Sequence, residues 1–389
     1  MWLGRGVLLA FSILGPLLFL EAVIRVFGPV LPGIYDTGPY RVRHPTLGHF
    51  HPTSFRGWVK TEEFTTFLEF NPMGLRDPRQ SYAKPPGTFR VLLLGDSFVE
   101  AVQVAAEHTA AVQLERLLNA DGRGPAEVIN AGVGGYGTGQ ELLLLEQEGA
   151  KYQPDVVVLV FYTGNDVANN NYRLELVRGD LSLATKAYWD ADEQGRLTRM
   201  DPPPFVPASG PLAWLRARSV FYNVVETGVV TKYSLRSPRD PVDAVEELRQ
   251  PVRGIYDTQP DGEWLRAWRT TEALLALVRD RTREMGVPLV LVCAPELRAI
   301  DPELWRREAA STRASSGRLQ PDAPNRRLEE IAARLDVPYV DLLPALKEGA
   351  GREPVYYEND RHWSAAGHRV VAQEIARQLN ARDLLRRRG

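Results

Sequence analysis

Four separated stretches of this chain carry the residue types that acyl transfer needs. Asp96 and Ser97 follow the apolar run at 89–94, a glycine-rich run spans 131–139, Gly164-Asn165-Asp166 closes a second apolar run, and Asp360 and His362 share one loop. A serine hydroxyl is a poor nucleophile until a base takes its proton, and the base needs a partner that fixes its tautomer and stabilises the imidazolium. Ser97, His362 and Asp360 have the chemistry for those three parts. The oxyanion formed on attack needs preorganised donors, and the Ser97 N–H, the Gly135 N–H and the Asn165 side-chain amide are candidates. Each residue also has a plain structural reading. Ser97 and Glu100 form an S-x-x-E capping box, Gly135 suits a tight turn, Asn165 a turn at positive φ, and Asp360 a helix cap.

These stretches need a scaffold that gathers them. Residues 90–94, 127–130, 155–162, 287–294 and 337–342 read as strands. Helical patterns lie between and after them at about 104–120, 140–150, 264–285, 325–335 and 364–379. Near-continuous apolar strands alternating with helices predict a parallel sheet covered on both faces. Turns that leave the carboxyl ends of such strands are where open α/β sheets place ligands, and Ser97 falls on one of them. His368, six residues beyond His362, points from a different face of its helix and suits a structural role.

Composition narrows the function classes. With 389 residues, 44% apolar and 25% charged, the chain is an ordinary globular protein. Its formal net charge of −2 argues against a nucleic-acid binder. The basic run at 382–388 reads as a solvated helix end. Cys293 is the only cysteine, so no intramolecular disulfide exists, and its apolar surroundings predict a buried, inert thiol.

Three regions flank the scaffold. Residues 6–20 are uncharged, and a helix continuing to residue 27 is long enough to span a bilayer if Glu21 and Arg25, four apart, pair. No small-x-small cleavage site follows, so an uncleaved anchor at 1–28 is expected. Residues 29–87 read as a membrane-proximal segment of loops and short strands. His44, His49 and His51 lie in it with no acidic or cysteine ligand at a recognised spacing, so exposed loop histidines are expected rather than a metal site. A catalytic domain at 88–385 follows, interrupted at about 168–262 by an aromatic- and proline-rich insertion that is expected to border the site.

Taken together, these motifs resemble the SGNH/GDSL family of esterases and lipases over roughly residues 90–379. Gly95-Asp96-Ser97-Phe98 looks like the family's nucleophile block, Asn130 to Gly135 its glycine block, Gly164-Asn165-Asp166 its asparagine block, and Asp360 with His362 its acid and base. The resemblance implies a flavodoxin-like three-layer α/β/α sandwich with about five parallel strands. It also implies Ser97 as nucleophile, Ser97, Gly135 and Asn165 as oxyanion donors, His362 as general base, and no cofactor. The family's usual spacing is D-x-x-H, whereas Asp360-Arg361-His362 is D-x-H and Asn359 takes the longer-spaced position. A similar D-x-H-W-S pattern occurs in proteins resembling alginate O-acetyltransferases. The expected function is therefore an esterase acting outside the cytoplasm on O-acyl esters of carbohydrate or lipid. Acyl transfer to an exported polysaccharide, or glycan binding without catalysis, stand as alternatives. The sequence leaves the acyl group, the acceptor and the oligomeric state open.

Overall fold

A computed structural model of the chain describes residues 2–27, 40–178, 186–201, 210, 214–215, 219, 221–222, 225, 251–310 and 318–385. Its centre is a five-stranded parallel sheet. In chain order, β1 (Val42–His44) with β2 (Gly48–Phe50) and β3 (Arg56–Lys60) with β4 (Thr65–Glu69) are antiparallel hairpins ahead of that sheet. The sheet is built from β5 (Phe89–Gly95), β6 (Ala126–Gly132) and β7 (Val156–Tyr162), then β10 (Leu289–Ala294) and β11 (Tyr339–Asp341). Between these two groups a third hairpin pairs β8 (Tyr188–Ala191) with β9 (Leu197–Met200).

The sheet order is β11-β10-β7-β5-β6, with every neighbouring pair parallel. Counting only its own strands, this is the 2-1-3-4-5 order of flavodoxin-like folds, and the direction of winding reverses between β5 and β7. Helices Ala110–Ala120 and Ala365–Ala381 pack together, while Gly262–Glu284 packs against Thr138–Gln147 and Ala323–Leu335. These two groups are the outer layers of the sandwich. The expected strands are all present.

The strands form where apolar burial outweighs ordering. Val156 to Phe161 of β7 are each at most 1% exposed. Burying such a side chain contributes about 1.5–3 kcal/mol, against roughly 1–2 kcal/mol for fixing each residue's backbone. β5 is buried along its whole length, including Arg90. That guanidinium is tolerated inside because Glu127 and the carbonyls of Tyr82, Ala83 and Tyr152 accept its N–H groups.

The flanking regions differ in part from the sequence reading. Helix Trp2–Phe27 covers the anchor segment with 26 residues, about 39 Å of helix, and Arg25 pairs with Glu21 at 2.7 Å. Among the described residues, however, no helix is long and apolar enough to cross a membrane. The histidines at 44–51 are not exposed loop residues. His51 is buried, and His44 and His49 are half-buried. Of the 29–87 segment, residues 29–39 lie outside the described set, as do much of the insertion and residues 386–388 of the basic run. Cys293 is fully buried in β10, and burial raises its thiol pKa well above the ordinary value.

Candidate active site

β5 ends at Gly95, and the chain turns at once into the short helix Ser97–Glu100. The turn is tight because β6 lies alongside. Gly95 pairs with Gly132, and a Cβ on Gly132 would lie 2.1 Å from the Glu100 backbone nitrogen. Only glycine permits that approach. Asp96 caps the helix, its Oδ1 accepting from the Phe98 N–H at 2.9 Å. Ser97 is thus the first helical residue rather than the cap, and its hydroxyl has no capping duty.

That hydroxyl meets His362, with Ser97 Oγ 2.7 Å from Nε2, while His362 Nδ1 is 2.7 Å from Asp360 Oδ1. A carboxylate only accepts, so Nδ1 carries the proton and Nε2 is left to accept from the serine. Asp96 Oδ2 is the serine's other neighbour, but at 3.5 Å. One hydroxyl proton serves one partner, and the shorter contact prevails. Asp360 and His362 keep about a quarter of their side-chain surface exposed, so the chain of bonds opens to solvent.

The short D-x-H spacing is accommodated at Arg361, whose φ is +66°. A left-handed residue folds the chain back sharply enough for Asp360 Oδ1 to reach both the backbone N–H of His362, at 3.3 Å, and its ring. Asp360 caps no helix. The helix that follows, Ala365–Ala381, is capped by Ser364, which accepts from Gly367 N–H at 3.2 Å.

The glycine-rich turn separates the candidate oxyanion donors. The Gly132 N–H donates to Asn130 Oδ1 and the Gly134 N–H to Glu100 Oε2, at 2.7 Å. Among the described residues the Gly135 N–H has no hydrogen-bond partner, unlike those of Gly132 and Gly134. Its φ of +81° turns the chain there, and the space a Cβ would enter is open. Its carbonyl is held by the Asn169 amide at 3.0 Å. Asn165 follows β7 with φ −140°, so it is no left-handed turn residue. Its side-chain amide helps hold down the pKa of the Asp96 carboxyl, and an NH2 group has two N–H bonds to offer.

Glu100 belongs to the site's frame, which the sequence did not indicate. Fully buried, it accepts from Arg41 at 2.9 Å, from Gly134 N–H, and from His51 Nε2 at 2.9 Å. Burial alone would raise its pKa, but Arg41 and His51 outweigh it and hold the carboxyl well below the usual range. The S-x-x-E pattern is therefore a tertiary anchor, tying the glycine turn to the segment before β5. Asp96, also fully buried, is pushed up to about 6 by burial, against the Phe98 N–H, His362 and the Asn165 amide. Behind it, burial and neighbouring acid charges push the Glu141 and Asp166 carboxyls well above the ordinary range.

The remaining titratable residues sit apart. His368 is buried against Trp363, its Nδ1 accepting from Ala110 N–H at 3.3 Å. Burial depresses its pKa to about 3. His49 Nε2 meets the Gly134 carbonyl at 2.8 Å. No group of three or more His, Cys, Asp or Glu among the described residues could hold a metal ion.

The structure is similar to that of TesA (14% identity, 75% of this chain and 98% of that one, TM-score 0.39). It is also similar to the acetyl xylan esterase AlAXEase (15%, 74% and 98%, 0.38) and a lipase/acylhydrolase from Enterococcus faecalis (15%, 76% and 96%, 0.39). No curated protein matches the chain. Residues 93–370, from within β5 to beyond His362, match the model of the GDSL-like lipase/acylhydrolase family, and the chain belongs to that family of ester-hydrolysing enzymes.

Proposed function

We propose that this protein is a serine esterase that cleaves O-acyl esters of a carbohydrate or lipid through an acyl-enzyme on Ser97. The observation that carries the reading is the unbroken chain of hydrogen bonds from Asp360 through His362 to Ser97 Oγ. In the forward step the Ser97 oxygen bonds to the ester carbonyl carbon as its proton passes to His362 Nε2. Asp360 stabilises the imidazolium. The carbonyl electrons move onto oxygen, where the N–H groups of Ser97 and Gly135 and the side-chain amide of Asn165 donate to the oxyanion. Collapse expels the alkoxide, which takes the proton from His362, and the acyl group stays on Ser97. Water then attacks by the same route.

A sugar hydroxyl in place of that water makes the enzyme an O-acyltransferase, and the D-x-H-W-S spacing favours keeping this second reading. Turnover of 4-nitrophenyl acetate by the full chain, with and without acetyl-accepting oligosaccharides, separates the two. Release of nitrophenol and free acetate in water alone is the expected result. Turnover only with the acceptor would shift the assignment to transfer. No turnover in either case would sink both and leave a glycan-binding role.

We further propose that the protein sits at a membrane through its N-terminal segment, with the catalytic domain outside the cytoplasm. Support comes from the uncharged run at 6–20 and from Phe11, Leu18 and Phe19, each more than two-thirds exposed on helix Trp2–Phe27. Protease added to intact expressing cells should digest the domain. Protection until lysis would place it inside instead.

A further inference from the structure

Glu63 lies 297 residues before Asp360, in the turn between β3 and β4 and outside the stretch that matches the family. Its carboxylate receives three successive backbone N–H groups of the acid–base loop. Glu358 donates to Oε1 at 2.9 Å, Asn359 to Oε1 and Oε2 at 3.0 and 3.1 Å, and Asp360 to Oε2 at 2.6 Å. Successive amides pointing into one concavity form an anion-binding nest. Here the anion is the protein's own side chain.

We infer that Glu63 is a positioning residue for the acid–base loop, acting on the reaction through Asp360. The inference rests on the proposed hydrolytic reading. Its physical reason is the backbone that follows the nest. Arg361 is left-handed, a conformation that disfavours any residue with a Cβ and persists only where its surroundings hold it. Three holds are present. Glu63 fixes the amides before it, Arg361 itself bonds Glu308 at 3.1 Å, and the Tyr357 N–H bonds the His362 carbonyl at 2.9 Å. Of these, Glu63 alone bonds Asp360.

The hairpin that presents Glu63 is itself fixed. Thr61 Oγ1 accepts from the N–H groups of Glu63 and Phe64, both at 3.2 Å. The Phe64 ring packs 5.5 Å from Tyr357, beside a small apolar core of Val59, Leu68, Phe70 and Val102. Thr66 Oγ1 and the Tyr357 hydroxyl both donate to the Gln103 carbonyl, at 3.1 and 3.2 Å. The hairpin and the loop are thus tied to the residues just after the Ser97 helix. Glu63 makes the link that ends on the acid.

Glu63→Gln tests this, because the amide keeps the volume but turns an NH2 group toward the nest's donors. With 4-nitrophenyl acetate and the full chain, kcat should fall at least about tenfold, since sub-ångström to ångström misplacement of a catalytic group costs that much. KM and melting temperature should change little. The same substitution in an Asp360→Asn background should cost less than about twofold, because its effect passes through Asp360. An equal loss in both backgrounds, or an unchanged kcat, overturns the inference. If Glu63→Gln does not fold, Glu63→Asp decides. Withdrawing the carboxylate by one methylene should lower kcat several-fold at near-native melting temperature, and wild-type kcat in that variant is the overturning result. A Ser97→Ala control that still turns over marks failure of the hydrolytic reading instead.

Discussion

Ser97→Ala is expected to lower kcat by a factor on the order of 10⁵ to 10⁶, to the level set by binding and the oxyanion donors alone, while the protein melts as before. The structure makes the second half of that expectation sharp. A serine that caps a helix costs about 0.5–2 kcal/mol when truncated. Here Asp96 is the cap, and Ser97 spends its hydroxyl on His362 at 2.7 Å. Removing the hydroxyl leaves Nε2 of the partly exposed His362 ring an acceptor that water can satisfy. Melting and steady-state rates on the same preparation check both halves. A drop in stability with retained turnover would mean that the hydroxyl is structural and that another group attacks the ester.

What was legible in the sequence followed from local pattern. The five strands announce themselves as β-branched and leucine-rich runs, because strands buried on both faces tolerate little else. The parallel order then places Ser97, Gly135 and Asn165 after β5, β6 and β7, three neighbouring strands. Asp360 and His362 were visible because acid and base share one loop.

The parts that could not be read are tertiary. Glu100 has the spacing of a capping box, yet its carboxylate is claimed by Arg41 and His51, which lie 59 and 49 residues earlier. The three histidines before β5 looked like loop residues because no periodic element surrounds them. His51 is buried through its bonds to Glu100 and the Gly74 carbonyl. Glu63 is one acidic residue in an acidic turn, and nothing in its neighbourhood points to amides 295 to 297 residues away. Of the insertion, the β8–β9 hairpin and its link to the segment before β5, the bridge between Leu47 and Lys186, were also beyond local pattern.

Asp360→Asn is the second large effect, expected to lower kcat by about 10⁴-fold with little change in melting temperature. An asparagine in that place can present its NH2 to Nδ1, which selects the tautomer whose Nε2 bears a proton and cannot accept one from Ser97. The D-x-H spacing had left Asn359 as a rival partner for the base. Geometry separates the two, since Asp360 Oδ1 lies 2.7 Å from Nδ1, whereas Asn359 is exposed and enters the network through its backbone N–H to Glu63. Asn359→Ala keeps that N–H, so its kcat should stay within a few-fold of wild type. Asn165→Ala should fall between them, with a loss of about 10²–10³ for one oxyanion donor. These losses will not add, because the residues act on one transition state. An Asn359→Ala variant as damaged as Asp360→Asn would show that a group other than Asp360 orients His362. Measured on the same variants, acetyl release to water and acetyl transfer to a sugar should decline in parallel, because both drain one acyl-serine. A variant that loses hydrolysis but keeps transfer would require a second route to the acceptor that bypasses His362.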